Sequence, residues 1–405
     1  MPYLYAGAAI AVTAMIVAFP KDSFEASLDG LRVWWEIVFP ALLPFFVAAE
    51  VLMGLGVVHM LGVLLEPLMR PLFNVPGAGA FALAMGLASG YPMGAKITAE
   101  LRSRRMCSQI EAERLLSITN TADPLFMTGA VAVGMLGDPR LGIVIVLSHY
   151  AASILLGLII RFYGGNEQEQ VPYKQPARTS LLRRAADALV SARESDGRPI
   201  GQLLGDAVRD SVTTLLLVGG FIIVFSVMTR VLSAVGVTHL IATPLSVALR
   251  PFGVDPSILD ALVEGFFEIT IGCEEASRAT TPLETKLIAI SAIIGWSGLS
   301  VCGQVASIVH ETGIRLRSYV SSRIIHAALA ACICALLLRP GLSPLPAAEV
   351  PVSALSLMSR PSALNTLVRS TRLLLGVSAF TAVAALFVSL PLSLRVITFR
   401  HSGRK

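Results

Sequence analysis

Chemistry in this 405-residue chain gathers in three short polar stretches, each set among long apolar runs. The first reads Gly86-Leu-Ala-Ser89-Gly90-Tyr91-Pro92-Met-Gly94-Ala-Lys96. Pro92 has no amide hydrogen, and its fixed φ suits the first turn of a helix. Gly90 and Gly94 let backbone approach closely. A half-helix that starts there presents unpaired N–H groups, the positive end of its dipole, and Lys96 one turn further on adds a full charge. Ser89, Gly90, Tyr91, Pro92, Gly94 and Lys96 are therefore candidates for binding an anionic solute. The lysine also suits two plainer roles, snorkelling to an aqueous surface or pairing with Glu100 at i+4.

The second stretch carries Glu264, Glu268, Glu274 and Glu275. Glu268 stands in Gly265-Phe-Phe-Glu-Ile-Thr-Ile-Gly272, apolar on both sides. A buried carboxylate there either exchanges a proton and couples transport to it, or braces the fold through hydrogen bonds. Glu274 and Glu275 are expected to face water. The third stretch is Ser117-Ile-Thr119-Asn120-Thr121-Ala-Asp123-Pro124, with a later counterpart in Trp296-Ser297-Gly298-Leu-Ser300-Val-Cys-Gly303-Gln304. Asn120, Thr121, Asp123, Ser297 and Gln304 read as lining a pocket at a proline kink. Polar packing between helices is the alternative. His149, His310 and His326 are isolated in sequence. No HExxH, phosphate loop, dinucleotide fingerprint or nucleophile elbow is present, so neither enzyme activity nor a cofactor is expected. The five cysteines lack metal spacings, and neither a zinc site nor a disulfide framework is expected.

Apolar residues make up 54% of the chain and charged residues 15%, with a mean hydropathy of +0.72. A soluble protein carries about 25% charged residues, so much of this surface must face lipid. The net charge of +5 gives no reason to expect nucleic acid. Full spans are expected at 3–20, 37–60, 113–136, 140–162, 211–235, 284–309, 321–339 and 373–394. The first of these reads as a retained anchor, since no basic n-region or cleavage site precedes it. The apolar stretches 78–98 and 257–273 are broken in the middle. Each half is about 11 residues, or roughly 16 Å of helix, which reaches only the bilayer midplane. Both read as re-entrant hairpins. With that topology 20 of the 32 basic residues, Arg323 among them, fall on one face, and both termini are cytoplasmic. The linker 164–210 is polar, with a surface helix near 179–193, and 340–370 reads as an extracytoplasmic loop.

The surroundings of the two hairpins repeat. Pro71 precedes Gly86 by 15 residues and Pro251 precedes Gly265 by 14. Each unit reads as span, short amphipathic piece, hairpin, span, span. An odd number of crossings inserts the second unit upside down. The expected fold is thus an all-α polytopic membrane protein, with about eight transmembrane helices plus two re-entrant helical hairpins in inverted repeats. Its parts are an anchor and loop (1–36), a first repeat (37–163), a linker (164–210), a second repeat (211–339), and a loop, last span and tail (340–405).

The runs Pro71-Leu-Phe-Asn-Val-Pro76, Gly86 to Glu100, Thr119-Asn-Thr121, Asp123-Pro-Leu-Phe-Met127 and Gly129-Ala-Val-Ala-Val133 resemble the YlbJ family of sporulation integral membrane proteins. Gly265 to Gly272 fits it too. That family lies in the larger group with nucleoside-recognition Gate domains, related to concentrative nucleoside transporters. The resemblance spans about residues 35–340. It implies an endospore-forming bacterium and a multi-pass protein of the outer forespore membrane. It further implies transport of dipicolinic acid, a small aromatic dianion, toward the forespore. Asp123 sits awkwardly with a dianion unless it is protonated or paired. Two alternatives stay open: a carrier of a nucleoside or other small solute, and a non-transporting factor in spore-envelope assembly. A homo-oligomer is compatible with either.

Overall fold

The structure is a computed structural model, and it describes residues 2–164, 180–238, 243 and 256–339. The expected span 373–394, the 340–370 loop, the 165–179 part of the linker and the Pro251 motif lie outside the described residues. Among the described residues all regular structure is helical.

Helix α1 covers Pro2–Ala18 and α2 Pro20–Arg32; a wider π-helical segment, Val33–Val38, leads into α3, Phe39–Gly54. The expected span 37–60 therefore stops short. Leu55-Gly56 breaks it, with Gly56 at φ +83°, and α4 restarts at Val57–Leu68. Helix α5 (Gly79–Ser89) and α6 (Met93–Ser103) form the first hairpin, followed by α7 (Gln109–Thr119) and α8 (Leu141–Ile160). Helix α7 begins earlier than the expected 113 because Ser108 and Glu111 form a capping box: the Ser108 hydroxyl accepts from the Glu111 amide at 3.1 Å, and the Glu111 carboxylate accepts from the Ser108 amide at 2.9 Å.

Beyond the first unit lie α9 (Leu181–Asp196) and α10 (Ile200–Ala234). At 35 residues α10 is about 52 Å long, more than a bilayer needs, and its apolar part matches the expected 211–235. The second hairpin is α11 (Pro256–Phe267) and α12 (Ile269–Arg278), followed by α13 (Leu283–Trp296), α14 (Gly298–Val309) and α15 (Leu316–Leu337).

Two expected continuous spans are interrupted. The first stops at Thr119 and resumes as a π-helical segment, Phe126–Met135. Pro124 explains this, since it cannot donate to the helix ladder and biases the preceding residue away from helical backbone. The second, Leu283–Val309, is cut at Ser297, where Ser297 and Gly298 have φ of +73° and +80°. Each half of the chain thus runs hairpin, interrupted helix, continuous helix. Helices α13 and α14 sit at the centre, packed against α15, α8, both hairpins and α12. Helices α2, α3 and α10 pack together at one side, where the Trp34 indole donates to the Leu215 carbonyl at 2.8 Å. The predicted linker helix is present as α9, but it is docked along α4 rather than free in solvent.

Candidate functional site

The two helix interruptions face the two hairpin tips. At the first, a methyl group on Gly86 or Gly94 would fall on the Thr119 carbonyl, and one on Gly90 would lie 2.6 Å from the Asp123 carboxylate. Gly90 has φ +66°, which a residue with a side chain would resist. Backbone therefore lies on backbone where the tip Ser89–Met93 meets the break Asn120–Pro124. At the second, a methyl on Gly298 would lie 3.0–3.2 Å from Ile269 N, Phe267 O and Glu268 Cα. The Trp296 indole donates to Phe266 O at 2.9 Å and stacks on the Phe266 ring at 5.4 Å.

A buried carboxylate caps a half-helix at each place. Asp123 accepts from the Leu125 and Phe126 amides at 3.0 and 2.8 Å. Glu268 accepts from the Thr270 and Ile271 amides at 2.6 and 2.9 Å. Both satisfy N–H groups that a helix beginning at depth leaves without partners.

The first break is also held from two other helices. On α15, Arg323 is 0% exposed. Its guanidinium donates to the Asn120 carbonyl at 2.9 Å and to the Ser117 carbonyl. These carbonyls belong to the C-terminal, negative end of α7, which stabilises a cation. The Arg323 Nε has no partner among the described residues, and the Tyr319 ring lies 5.3 Å from the guanidinium. The Asn120 amide donates to the Tyr319 hydroxyl at 2.6 Å. From α8, the His149 Nε2 accepts from the Ala122 amide at 3.1 Å, and the Tyr150 hydroxyl donates to the Ala122 carbonyl at 3.1 Å. The rings of His149 and His326 stack at 4.5 Å. The Tyr91 hydroxyl crosses to the second unit and donates to the Ile294 carbonyl at 3.1 Å.

Ser89, Gly90, Tyr91, Pro92, Gly94, Asn120, Thr121, Asp123 and Ser297 thus lie at or beside the meeting of tip, break and second unit. Tyr91, Ser297 and Arg323 are within electrostatic reach of one another. The side-chain oxygens of Asn120, Thr121, Ser297 and Ser300 are buried without partners among the described residues. Two predicted residues fall elsewhere. Gly94 turns toward Thr119, so Lys96, two positions on, points away; it is exposed, and its charge is felt by Glu50 of α3. Gln304 is half-buried on α14, two turns past the break. Glu268 belongs to the second tip, and Glu274, expected to face water, is buried and paired with Arg278 at 2.6 Å.

Sequence reasoning missed Arg323 and the histidine pair. Arg323 was grouped with surface basic residues, yet Tyr319, Ser322, Arg323 and His326 recur at helical spacing, and that polar stripe on an apolar helix was the available signal. His149 and His326 are 177 residues apart, and no spacing rule joins them.

Comparison with known proteins fits this architecture to a family. The model of the Gate family, described as nucleoside recognition, matches residues 35–166 and 215–315. The sporulation integral membrane protein YlbJ of Bacillus subtilis (strain 168) is 46% identical over 329 residues, covering 81% of this chain and 81% of that protein. Among solved structures, CNTnw in an inward-facing substrate-bound state aligns at 14% identity with a TM-score of 0.46, over 82% of this chain and 86% of that one. A CNTnw variant in an intermediate state aligns at 16% identity, also at 0.46, over 84% and 87%. By the family match and the extent of identity to YlbJ, the chain belongs to the Gate family of membrane proteins and, within it, to the YlbJ-type sporulation integral membrane proteins.

Proposed function

We propose that this protein is a carrier, not an enzyme, that moves dipicolinic acid toward the forespore across the mother-cell-derived outer forespore membrane. The observation that carries the reading is Arg323: a fully buried guanidinium that, among the described residues, has no carboxylate partner and an unpaired Nε, set where an interrupted helix meets a hairpin tip. Intramembrane ionisable groups are costly and mark solute pathways. Arginine matches a carboxylate in fork geometry. Tyr91 and Tyr319 supply aromatic faces beside it, and Asn120 and Ser297 supply neutral hydrogen-bonding groups. Asp123 is held by two backbone amides as the cap of its half-helix, so a dianion binds beside it only with Arg323 as counter-charge.

In this reading the two units, 37–163 and 211–339, are inverted repeats, and their broken helices meet at the midplane. The face rich in arginine is cytoplasmic, as are both termini. Glu268 is the candidate for proton coupling. The test is dipicolinate uptake by proteoliposomes, with spore dipicolinate content in a deletion strain as the cellular counterpart.

A second reading is favoured by a separate observation. The unpaired buried oxygens of Asn120, Thr121, Ser297 and Ser300 are all neutral. They suit a nucleoside or similar uncharged solute, with Arg323 serving only to tie α15 to α7. Competition between dipicolinate and a nucleoside for the purified protein separates the two.

A further inference from the structure

A cavity of about 950 Å³ lies between α4, the turn before α5, the segment after α6 and the docked helix α9. It is separate from the site at Arg323. Its walls are largely apolar, with Val63, Pro76, Ala78, Phe81, Met106 and Ala188 among them, while Arg70, Arg105, Ser191 and Ser195 also line it. Arg70 pairs with Glu111 at 2.5 Å. Glu66, also on the wall, is taken by an ion pair with Arg184 of α9. Arg105 is exposed, at φ +54°, and its guanidinium has no partner among the described residues. The His59 ring packs at a tilt against Phe81, 4.8 Å between centroids, and its Nδ1 is buried without a partner among the described residues. The cavity thus has an apolar interior, a polar atom awaiting a partner and an arginine rim with its local carboxylates already engaged.

We propose that this cavity binds a phosphate-bearing amphiphile, an anionic membrane lipid whose headgroup meets Arg105 and Arg70 and whose acyl chain lies along Phe81, Val63 and Ala188. Size and position select this occupant. Ligand cavities of roughly 300–1,000 Å³ hold whole organic molecules, so an inorganic phosphate alone would leave the apolar wall uncovered. Helix α9 turns Leu182 and Val190 outward, 77% and 50% exposed, with Arg183 exposed beside them. Exposed apolar residues beside an arginine suit a membrane interface, where an arginine attracts anionic headgroups. Docking of α9 is itself built in: the Leu189 carbonyl seats on Gly56, where any side chain would collide. A lipid held there would bridge α9, α4 and hairpin 1, and so bear on the element whose tip meets the solute site.

The test uses the full chain purified in neutral detergent, with lipid binding read by native mass spectrometry and thermal melting. Phosphatidylglycerol should bind and raise the melting temperature, phosphatidylcholine should not, and inorganic phosphate should be at least about ten-fold weaker than the lipid, since it gains only the charged hydrogen bonds. Arg105→Gln, and Ala188→Trp to fill the cavity, should each weaken phosphatidylglycerol about ten-fold or more. Ser195→Trp at the exposed rim should do the same and guards against misfolding of the buried variant. Arg104→Gln, whose arginine pairs with Glu100 outside the cavity, should bind as wild type. Equal binding of both lipids, wild-type binding by both tryptophan variants, or saturation by phosphate alone would overturn the proposal. None of these readouts involves the transported solute.

Discussion

A methyl group added at Gly94 would meet backbone first: the Thr119 carbonyl oxygen, its carbon at 2.5 Å and the Asn120 nitrogen at 2.9 Å. No flexible side chain can swing aside, so hairpin 1 must back away from the break. Overpacking of this kind costs about 1–3 kcal/mol, and contact with rigid backbone puts Gly94→Ala at the upper end. Alanine also returns up to about 1 kcal/mol of helix propensity over glycine. Gly303 in α14 supplies the control, because a methyl there meets nothing within 4 Å. Gly303→Ala should therefore be neutral or gain up to about 1 kcal/mol. The two variants should differ by roughly 3 kcal/mol, the propensity term being common to both. Thermal or denaturant unfolding in detergent measures the difference, and solute binding measures the displaced tip. Equal stability of the two variants, with wild-type binding by Gly94→Ala, would refute the claim that tip and break touch through backbone.

Further outcomes follow from the same geometry. Arg323→Met leaves the Ser117 and Asn120 carbonyls unpaired, each costing about 1–3 kcal/mol, while Arg323→Lys restores one donor; melting temperatures should rank wild type, lysine, methionine. Lys96→Gln should bind dipicolinate within about three-fold of wild type, because no charged hydrogen bond worth about 1.5–3 kcal/mol is lost; a ten-fold loss would return Lys96 to the site. Glu268→Gln should impair concentrative uptake while sparing solute exchange if the carboxylate couples protons, and should lower both together with protein level if it only caps α12. Hydrogen bonds from Arg198 hold the Asp196 carboxyl below the usual aspartate range. A depressed carboxyl contributes stability above its unfolded pKa of about 3.9 and loses it as pH falls through the folded value. Hydrogen exchange of α9 should thus be unchanged in its opening equilibrium from pH 8 to 5 and rise only in stronger acid; loosening between pH 7 and 5 would contradict this. Cysteines at Ser191 and at Ser343, the latter outside the described residues, should label from opposite sides of the membrane.

The first hairpin was legible because Gly90 and Pro92 at its tip cannot continue an apolar helix, whatever the rest of the chain does, whereas the second turns at Glu268, with Gly265 and Gly272 inside its two helices. Pro124 announced a disturbance in the same local way, though it reads as a kink and proves to be a full stop. Ser297 carries no such local signal. Its positive φ is set by the close seat of Gly298 on Phe267–Ile269, a contact between distant parts of the chain. Lys96 was read from position alone, as a charge one turn into a helix, and the direction it faces depends on what the tip packs against. Once Gly94 is fixed against Thr119, position 96 must look elsewhere. Arg323 was hidden by a counting rule that assigns arginines near helix ends to the surface, and its burial depends on the α7 carbonyls that only tertiary packing brings to it. Helix α9 read as a surface helix of a polar linker, and its docking rests on Gly56 and Glu66, which lie far from it in sequence.

The most direct measurement is dipicolinate affinity of the purified protein and of Arg323→Gln, with a nucleoside as competitor, by calorimetry at matched folding. Loss of a charged hydrogen bond worth about 1.5–3 kcal/mol predicts ten- to a hundred-fold weaker dipicolinate binding in the variant and no competition by the nucleoside. Wild-type affinity in Arg323→Gln, or a nucleoside that binds where dipicolinate does not, would contradict the account.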